Sequence, residues 1–339
     1  MPNVSFIDYA FAYCSSLSQV SAPIATYIGS YAFNACILLK NVYLPQVKSM
    51  SRYVFSGCTS LENISLPQLE LMESGIFTKC TSLKNISLPQ VKNIAYEAFY
   101  SCYSLEEIAF PRVTRISGDR AFYSCSSLSR INLPILLILT SNLGFSSALK
   151  EFNTPLVQSI VYRCFLSASG LSRLEFANCS LIDSSAFYNA RNLQTLILRS
   201  NAVVTLSKTD AFWYTPMSNS TYTGTFGSIY VRPSLVEAYK TATNWATYSS
   251  RIAPIPDDFD SNVRYLTIQD DSGQEVQVTI LINGVEIYTG KQGGDECAIP
   301  VGNEATIQVT SYTGDVAPTT TTSYWETFNE DATVHFVSA

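Results

Sequence analysis

Cysteine is the residue of this chain whose number and spacing suggest chemistry, either thiol exchange or metal binding. Of nine cysteines, six recur in a single frame, at steps of 22 residues and then one of 23. In stacked strands about 4.7 to 4.9 Å apart, equivalent Cβ atoms stay farther apart than the roughly 3.5 to 4.5 Å of a disulfide. The spacing therefore predicts a column of buried free thiols that act as small apolar side chains. Bridging between some coils and a metal site are the alternatives. The six are Cys14, Cys36, Cys58, Cys80, Cys102 and Cys125.

Other residues that could support catalysis or metal binding are scarce. The cysteine spacing contains no C-x2-C pair and the only histidine is His335, so a zinc site is not indicated. The repeats offer no Ser-His-Asp or Cys-His arrangement. Carboxylates are paired at Glu106/Glu107 and Asp257/Asp258, but adjacent strand residues face opposite sides of a sheet. We therefore predict a protein that is not an enzyme and has no cofactor or metal.

The cysteines belong to a longer repeat in which phenylalanine precedes cysteine by three residues and leucine follows it by three. The frame begins at Phe11, and the second half of each unit reads L-x-x-I-x-L-P, as in 61–67 and 83–89. Such a period is typical of a solenoid whose coils are stable only when stacked. We count about ten coils of about 22 residues, the last four irregular. Their phenylalanine slots hold Leu143, Phe165, Phe187 and Phe212.

The unit A-F-Y-S-C-x-S-L-x-x-I-x-L-P-x-V-x-x-I resembles the BspA-like, or Treponema pallidum-type, leucine-rich repeat over roughly residues 5 to 252. The resemblance implies an α/β-type repeat solenoid with parallel strands on one side and short irregular turns on the other. It also implies a non-catalytic, protein-binding or adhesive role of a kind common on the surfaces of host-associated bacteria.

Composition agrees with a large, continuous apolar core. Of the 339 residues, 47% are hydrophobic and 14% charged, and the net charge is -6. The acidic balance argues against nucleic acid as a partner, since phosphate binding needs clustered Lys and Arg. The sequence contains no run of 18 apolar residues, so no transmembrane helix is predicted. The start lacks the basic and apolar regions of a signal peptide, so we expect that a signal was removed or never existed.

In a solenoid, residues one period apart become neighbours and form columns on the surface. One column alternates charge, Lys40, Glu62, Lys84 and Glu106, and is predicted to set register and solubility. The outward strand positions are mostly small and polar, from Ser21 through Ser87 to Glu175 and Ile197. Aromatic columns are the candidate partner-binding residues if they face solvent; the alternative is that they cover the edge of the core. They are Tyr9, Tyr31, Tyr53, Tyr100, Tyr123, Tyr188 and Trp213.

The pattern changes near residue 255, which predicts two domains, 1–255 and 260–339. In the first, the segment 233–248 is expected to form a helical cap over the last coil, while nothing comparable precedes the first coil. A proline-rich linker follows from Pro254. The second domain shows period-two patterns and an Asn283-Gly284 hairpin signal. It is predicted to be a small all-β immunoglobulin-like sandwich with an exposed loop over Thr313 to Ser323.

These features predict a non-enzymatic recognition protein, extracellular or on a bacterial cell surface, that binds a host protein or glycan through the solenoid. The alternative is a structural or receptor-binding component of a bacteriophage virion, whose partners would be other virion proteins. The lack of a signal sequence and of an N-terminal cap favours the alternative if Met1 is the native start. The drift of the repeat after residue 130 marks the region in which a specialised site is expected.

Overall fold

The protein is described by a computed structural model that covers residues 6–140, 148–271, 276–292, 294–312, 319–320 and 331–337. The chain divides into two compact units, Met1–Pro256 and Asp257–Ala339. Among the described residues, no helix is both long enough and apolar enough to cross a bilayer. The predicted phenylalanine slot Leu143 lies outside the described residues.

The first unit is a solenoid in which the L-x-x-I-x-L motif forms a column of short parallel strands, here called the motif column. Apolar positions alternate with polar ones, so that Ile64 is buried between the exposed Asn63 and Ser65. This confirms the predicted inward turn of the apolar residues. The strands are Gln19–Ser21, Asn41–Tyr43, Asn63–Ser65, Asn85–Ser87, Glu107–Ala109, Arg130–Asn132, Glu151–Asn153, Arg173–Phe176, Thr195–Leu198, Ser228–Val231 and Ile252–Pro254.

A second column of parallel strands follows the prolines, where the family resemblance implied irregular turns. Its strands are short, and each contributes a buried apolar side chain such as Ile28, Met50 or Ile94. The proline that ends the first strand lets the chain turn before the second strand begins. The strands are Phe6–Ile7, Tyr27–Ile28, Ser49–Met50, Leu71–Met72, Asn93–Ala95, Arg115–Ser117, Ile138–Leu139, Ser159–Ile160, Leu181–Ile182 and Thr205–Leu206.

The third side of each coil is the turn that carries the phenylalanine, here called the Phe turn. Neighbouring Phe turns are joined by backbone hydrogen bonds, for example from Phe77 N to Ala98 O at 3.0 Å. The phenyl rings from Phe11 to Phe122 stack in one column with centroids 5.5 to 5.8 Å apart. After the seventh coil the column resumes from Phe165 through Phe187 to Phe212.

In the Phe turns of the first six coils, and again in the eighth and ninth, two residues lie in the left-handed region, two positions before the phenylalanine and two after it. At Phe212 only Tyr214, two positions after it, does so. In the second coil the two residues are Tyr31 at φ 57° and Ala35 at φ 56°. A non-glycine residue in this region costs roughly 1 to 2 kcal/mol. Most coils therefore contain backbone strain at one or two residues. The hydrogen bonds between stacked coils hold these residues in the strained conformation.

The predicted cysteine column is confirmed as buried from Cys36 to Cys125, and all nine cysteines are free thiols. The thiols also donate hydrogen bonds, which the sequence did not indicate. From Cys36 to Cys125, each Sγ donates to the phenylalanine carbonyl of the preceding coil, as in Cys58 to Phe33 at 3.2 Å and Cys80 to Phe55 at 3.1 Å. Cysteine is thus small enough for close stacking and polar enough to satisfy a buried carbonyl.

We predict that these thiols are almost unreactive in the folded chain. Burial raises the pKa of Cys36 to about 11 and that of Cys125 to about 12, so little nucleophilic thiolate forms at pH 8. A colorimetric thiol reagent should therefore modify only the half-buried Cys14 quickly. In denaturant without reductant the same reagent should count nine thiols. A count well below nine would contradict the free-thiol column.

The last coil is followed by a 3-10 turn at Pro233–Leu235, a helix at Val236–Thr241 and a 3-10 helix at Trp245–Arg251. Trp245 Nε1 donates to Val204 O at 2.6 Å, and Tyr239 Oη accepts from Val204 N at 3.0 Å. The ring of Tyr248 packs edge-on against Phe212 at 5.2 Å. The chain then adds a final strand to the motif column, which includes Pro254, the residue predicted to open the linker.

The second unit is all-β. Its described strands form one sheet in the order 296–300, 263–271, 332–337 and 319–320, and another in the order 285–292, 276–282 and 305–312. The Asn283-Gly284 hairpin is confirmed, with φ 51° and 67° at its two turn residues. The strands are Val263–Asp271, Val276–Ile282, Val285–Gln292, Glu296–Pro300, Ala305–Tyr312, Thr319–Thr320 and Ala332–Val337. Of the predicted threonine-rich loop, all but Thr319–Thr320 lies outside the described residues.

Candidate partner-binding surface

Tyr9, Tyr31 and Tyr53 form a stack on the Phe turns, here called the tyrosine ladder. All three occupy the left-handed position before the phenylalanine. Their rings lie 5.8 and 5.4 Å apart in near-parallel planes. Tyr9 is 55% exposed, and the other two are half-buried. The sequence predicted this column, and the structure shows rings that are ordered against one another and open to solvent along one side.

The ladder ends at Gly75, which holds the same position in the next coil. Gly75 has φ 67°, and a Cβ atom there would lie 2.1 Å from Cε1 of Tyr53. Only glycine tolerates both the backbone conformation and the approach of the ring. The Tyr53 ring therefore covers the backbone of the coil that follows it.

Beyond Gly75 the same column carries charge, through Glu97 and Arg120. Burial, and then the negative charge of Glu97, raise the pKa of Tyr53. A hydrogen bond to Glu97 raises the pKa of Tyr96 as well. Arg120 Nη1 lies 3.8 Å from Glu97 Oε1. The tyrosine ladder is thus joined to a charged segment by side-chain contacts.

Tyr100 and Tyr123 form a second stack on these turns, at 5.5 Å and an interplanar angle of 6°. Tyr100 is half-buried and Tyr123 is 39% exposed. One face of the Tyr123 ring is covered by Tyr100, so its other face is directed towards the following coils. Tyr123 and Arg120 line the same cavity.

That cavity, here called the polar pocket, has a volume of about 490 Å³ and lies where the repeat loses its regularity. Its walls carry two arginines and two aspartates, with two tyrosines beside them. The Arg163 guanidinium lies 4.8 Å from the centroid of the Tyr162 ring. The described lining residues are Asp119, Arg120, Tyr123, Thr140, Val161, Tyr162, Arg163 and Asp183.

Of these residues, only Tyr123 was a sequence candidate. Arg120 and Arg163 occupy the left-handed slot that holds tyrosine in the first three coils, with φ 64° and 56°. A comparison of that slot across all coils would have found them. The prediction that a specialised site lies after residue 130 stays a prediction, although the polar pocket spans that region.

The remaining candidates, Tyr188 and Trp213, do not continue the Tyr100/Tyr123 stack. The equivalent slots between Tyr123 and Tyr188 hold Gly144, which lies outside the described residues, and Leu166. Tyr188 is half-buried and meets Tyr214 edge-on at 5.1 Å, while Trp213 is 40% exposed. The predicted aromatic columns therefore form separate groups.

The outward face of the motif column departs from the predicted polar stripe at its C-terminal end. Ser21, Ser65 and Ser87 are exposed. Glu175 and Ile197 are only 4% and 0% exposed. Glu175 is held by Arg199 at 2.7 Å and Arg173 at 3.1 Å. These two positions are therefore not part of an open polar surface.

The other columns of the motif side pair mainly with themselves. Asn85 Nδ2 donates to Asn63 Oδ1 at 2.7 Å, and Arg112 donates to Gln90 Oε1. Within the described ranges, no ion pair joins the alternating charges Lys40, Glu62, Lys84 and Glu106. Charge pairs form one residue later instead, where Arg130 lies 2.7 Å from Glu151 and 3.4 Å from Glu107.

A larger cavity of about 650 Å³ lies on the motif side of the first coils, beside Phe11 and Leu17. Its polar wall consists mostly of amides and hydroxyls, such as Gln19, Asn41 and Tyr43. Among its described lining residues only Lys40 is charged, whereas the polar pocket brings together charged groups of both signs. In the described part of the chain, no group of three or more His, Cys, Asp or Glu is placed to hold a metal ion.

Comparison with known families supports the repeat architecture. A family model described as BspA type leucine rich repeat region matches residues 4–129 and 118–232, in six copies. The chain belongs to this family. The BspA-type repeats thus include the tyrosine ladder, the Tyr100/Tyr123 stack and the polar pocket. No curated protein matches the chain.

Among solved structures, similar proteins are leucine-rich repeat proteins of bacteria. One from Eubacterium ventriosum is 20% identical over 56% of this chain, with a TM-score of 0.37, and this chain spans 44% of it. The Treponema pallidum leucine-rich repeat protein is 24% identical over 58% of this chain and 75% of its own, with a TM-score of 0.35. A leucine-rich cell surface protein from Faecalibacterium prausnitzii is 18% identical over 73% of this chain and 86% of its own, with a TM-score of 0.33.

Proposed function

We propose that this chain is a non-enzymatic recognition protein of the bacterial cell surface or exterior, and that it binds a host protein or glycan through its Phe turns. The observation that carries the proposal is the two sets of stacked, partly exposed rings, Tyr9, Tyr31 and Tyr53 in one and Tyr100 and Tyr123 in the other. Membership of the BspA-type repeat family supports it. The proposed partners do not include nucleic acid, because this chain is acidic and phosphate binding needs Lys and Arg.

Stacked tyrosines suit recognition for a physical reason. A free surface side chain loses roughly 0.5 to 1.5 kcal/mol of conformational freedom when a partner immobilises it. Rings that are already held 5.4 to 5.8 Å from their neighbours have lost much of that freedom in the unbound protein. Tyrosine also combines a large apolar face with a hydroxyl group, and it is enriched among residues that dominate binding energy.

The test is the double substitution Tyr100→Ser/Tyr123→Ser, compared with wild type on an array of extracellular-matrix proteins and glycans. We expect binding to at least one array member, and at least a tenfold loss of affinity in the double variant because each central ring contributes about 2 kcal/mol. The melting temperature should fall by only a few degrees, since one stacked pair is worth about 0.5 to 1.5 kcal/mol.

Tyr43→Ser is the matched control, because Tyr43 is 59% exposed but lies on the motif column. Its affinity should stay within twofold of wild type. If Tyr43→Ser abolished binding and the double variant kept it, recognition would lie on the motif side instead. If no host protein or glycan binds, the proposal fails, and the virion component becomes the better hypothesis.

A further inference from the structure

We propose that the polar pocket is a binding site for a neutral saccharide. This inference rests on the proposed function and specifies the class of ligand that one part of the Phe-turn surface takes. It is carried by the composition of the pocket, in which two guanidinium groups and two carboxylates surround the cavity and two exposed tyrosine rings lie beside them.

The balance of charge in the pocket argues against an anionic ligand. Asp119 is adjacent to Arg120 in sequence, and Asp183 lines the cavity together with Arg163. Arg120 also lies 3.8 Å from Glu97. A site for phosphate, sulfate or a carboxylated sugar would present arginines without carboxylates beside them. Here each positive charge has a negative one in or next to the cavity.

The same groups match the hydrogen-bonding pattern of sugar hydroxyls. A hydroxyl group both donates and accepts, guanidinium only donates, and an ionised carboxylate only accepts. Neighbouring hydroxyls of a pyranose can therefore bridge an arginine and an aspartate. Asp183 Oδ1 already accepts from Ser184 N at 2.7 Å, which fixes the carboxylate and leaves Oδ2 for a ligand.

The tyrosines supply a platform for the apolar face of a sugar ring. The face of Tyr123 that is not covered by Tyr100 is directed towards the pocket. Tyr162 is 50% exposed, and its ring is held by Arg163. Aromatic faces carry negative potential and attract the weakly positive C–H groups of a pyranose.

A peptide fits the pocket less well. Val161 is the one aliphatic side chain among the described lining residues, whereas peptide grooves rely on apolar anchors. A volume of about 490 Å³ falls within the roughly 300 to 1,000 Å³ of small-ligand sites. We therefore assign the site to one or a few sugar units of a neutral glycan.

The experiment uses the full chain and a panel of neutral trisaccharides built from glucose, galactose, mannose and N-acetylglucosamine, together with sialylated and sulfated counterparts. Binding is measured by saturation-transfer NMR and by calorimetry. We expect at least one neutral trisaccharide to bind, and its affinity to fall at least tenfold in Asp119→Asn/Arg163→Gln. This double variant preserves shape and removes one acid and one base.

Glu62→Gln/Lys84→Gln is the control, since it removes one exposed acid and one exposed base outside the pocket. Its affinity should match wild type. Three results would overturn the inference. They are binding of charged sugars only, binding of no sugar, and an affinity of the pocket variant for the neutral sugar equal to that of wild type. If a matrix protein still binds in a Tyr100- and Tyr123-dependent manner, the proposed function survives that failure. If nothing on the protein and glycan array binds, both fail together.

Discussion

At pH 10 the solenoid is expected to lose several kcal/mol of stability relative to pH 7, enough to bring it close to unfolding. The cause is a set of buried thiols, four of them in the cysteine column and two, Cys164 and Cys179, outside it. Burial raises the pKa of Cys125 and of Cys179 to about 12, from an ordinary value of 9.0. Burial also raises the pKa of the thiols of Cys58, Cys80, Cys102 and Cys164.

The direction of the effect follows from proton linkage. Below pH 9 the thiols are protonated in both the folded and the unfolded chain, so their full contribution to stability is present. Above pH 9 the unfolded thiols ionise while the folded ones cannot, and stability falls until the pH reaches the folded pKa values. For each such thiol, the free energy of unfolding then falls by about 1.4 kcal/mol per pH unit. Six such thiols at pH 10 approach the roughly 5 to 15 kcal/mol that stabilise a typical domain.

The measurement is urea unfolding at several pH values from 7 to 10.5, for wild type and for Cys58→Ala/Cys80→Ala/Cys102→Ala. The variant should be less stable at pH 7, because three buried carbonyls lose a donor and small cavities form. Its further loss between pH 7 and 10 should be about 4 kcal/mol smaller than that of wild type. Parallel pH curves would show that tyrosine ionisation, for example at Tyr248 with a pKa of about 12, is responsible instead.

Sequence patterns predict the interior of this protein well because every interior position recurs. Phenylalanine, cysteine, leucine and proline each hold one slot per coil, so a single frame indicates the core and about ten coils. Even where the register drifts, the cysteine slot holds a small buried residue, as at Ala168, Ala190 and Thr215. Repetition thus compensates for the weakness of any one motif.

Positions governed by backbone conformation could not be predicted in this way. The left-handed slot after the phenylalanine accepts tyrosine, alanine, glycine, lysine, serine and asparagine, because hydrogen bonds between coils impose its conformation. Residue type therefore carries little information there. The polar pocket was missed for a related reason: Arg120 and Arg163 replace tyrosine in the slot where the repeat had already begun to change. Glu175 was predicted to face outward from its place between the apolar strand positions, but it is buried and its carboxylate pairs with Arg199 from the next coil.

The second large effect is expected for Phe77→Ala, which should destabilise the first unit by about 3 to 5 kcal/mol. Phe77 is fully buried and its ring lies between Phe55 at 5.8 Å and Phe99 at 5.6 Å. The surrounding coils are fixed by hydrogen bonds, including Cys102 Sγ to Phe77 O at 3.0 Å. They cannot collapse into the space that the ring leaves, so most of the cavity should persist.

Phe11→Ala is the matched control, since Phe11 holds the same slot in the first coil. Phe11 is half-buried and stacks on one described neighbour, Phe33, at 5.6 Å. We expect less than half the loss found for Phe77→Ala. Urea unfolding gives the global difference, and amide hydrogen exchange should show lost protection in the coils on both sides of residue 77. Because a solenoid coil contacts only its neighbours, equal losses for the two variants would contradict the nearest-neighbour account of how this stack is stabilised.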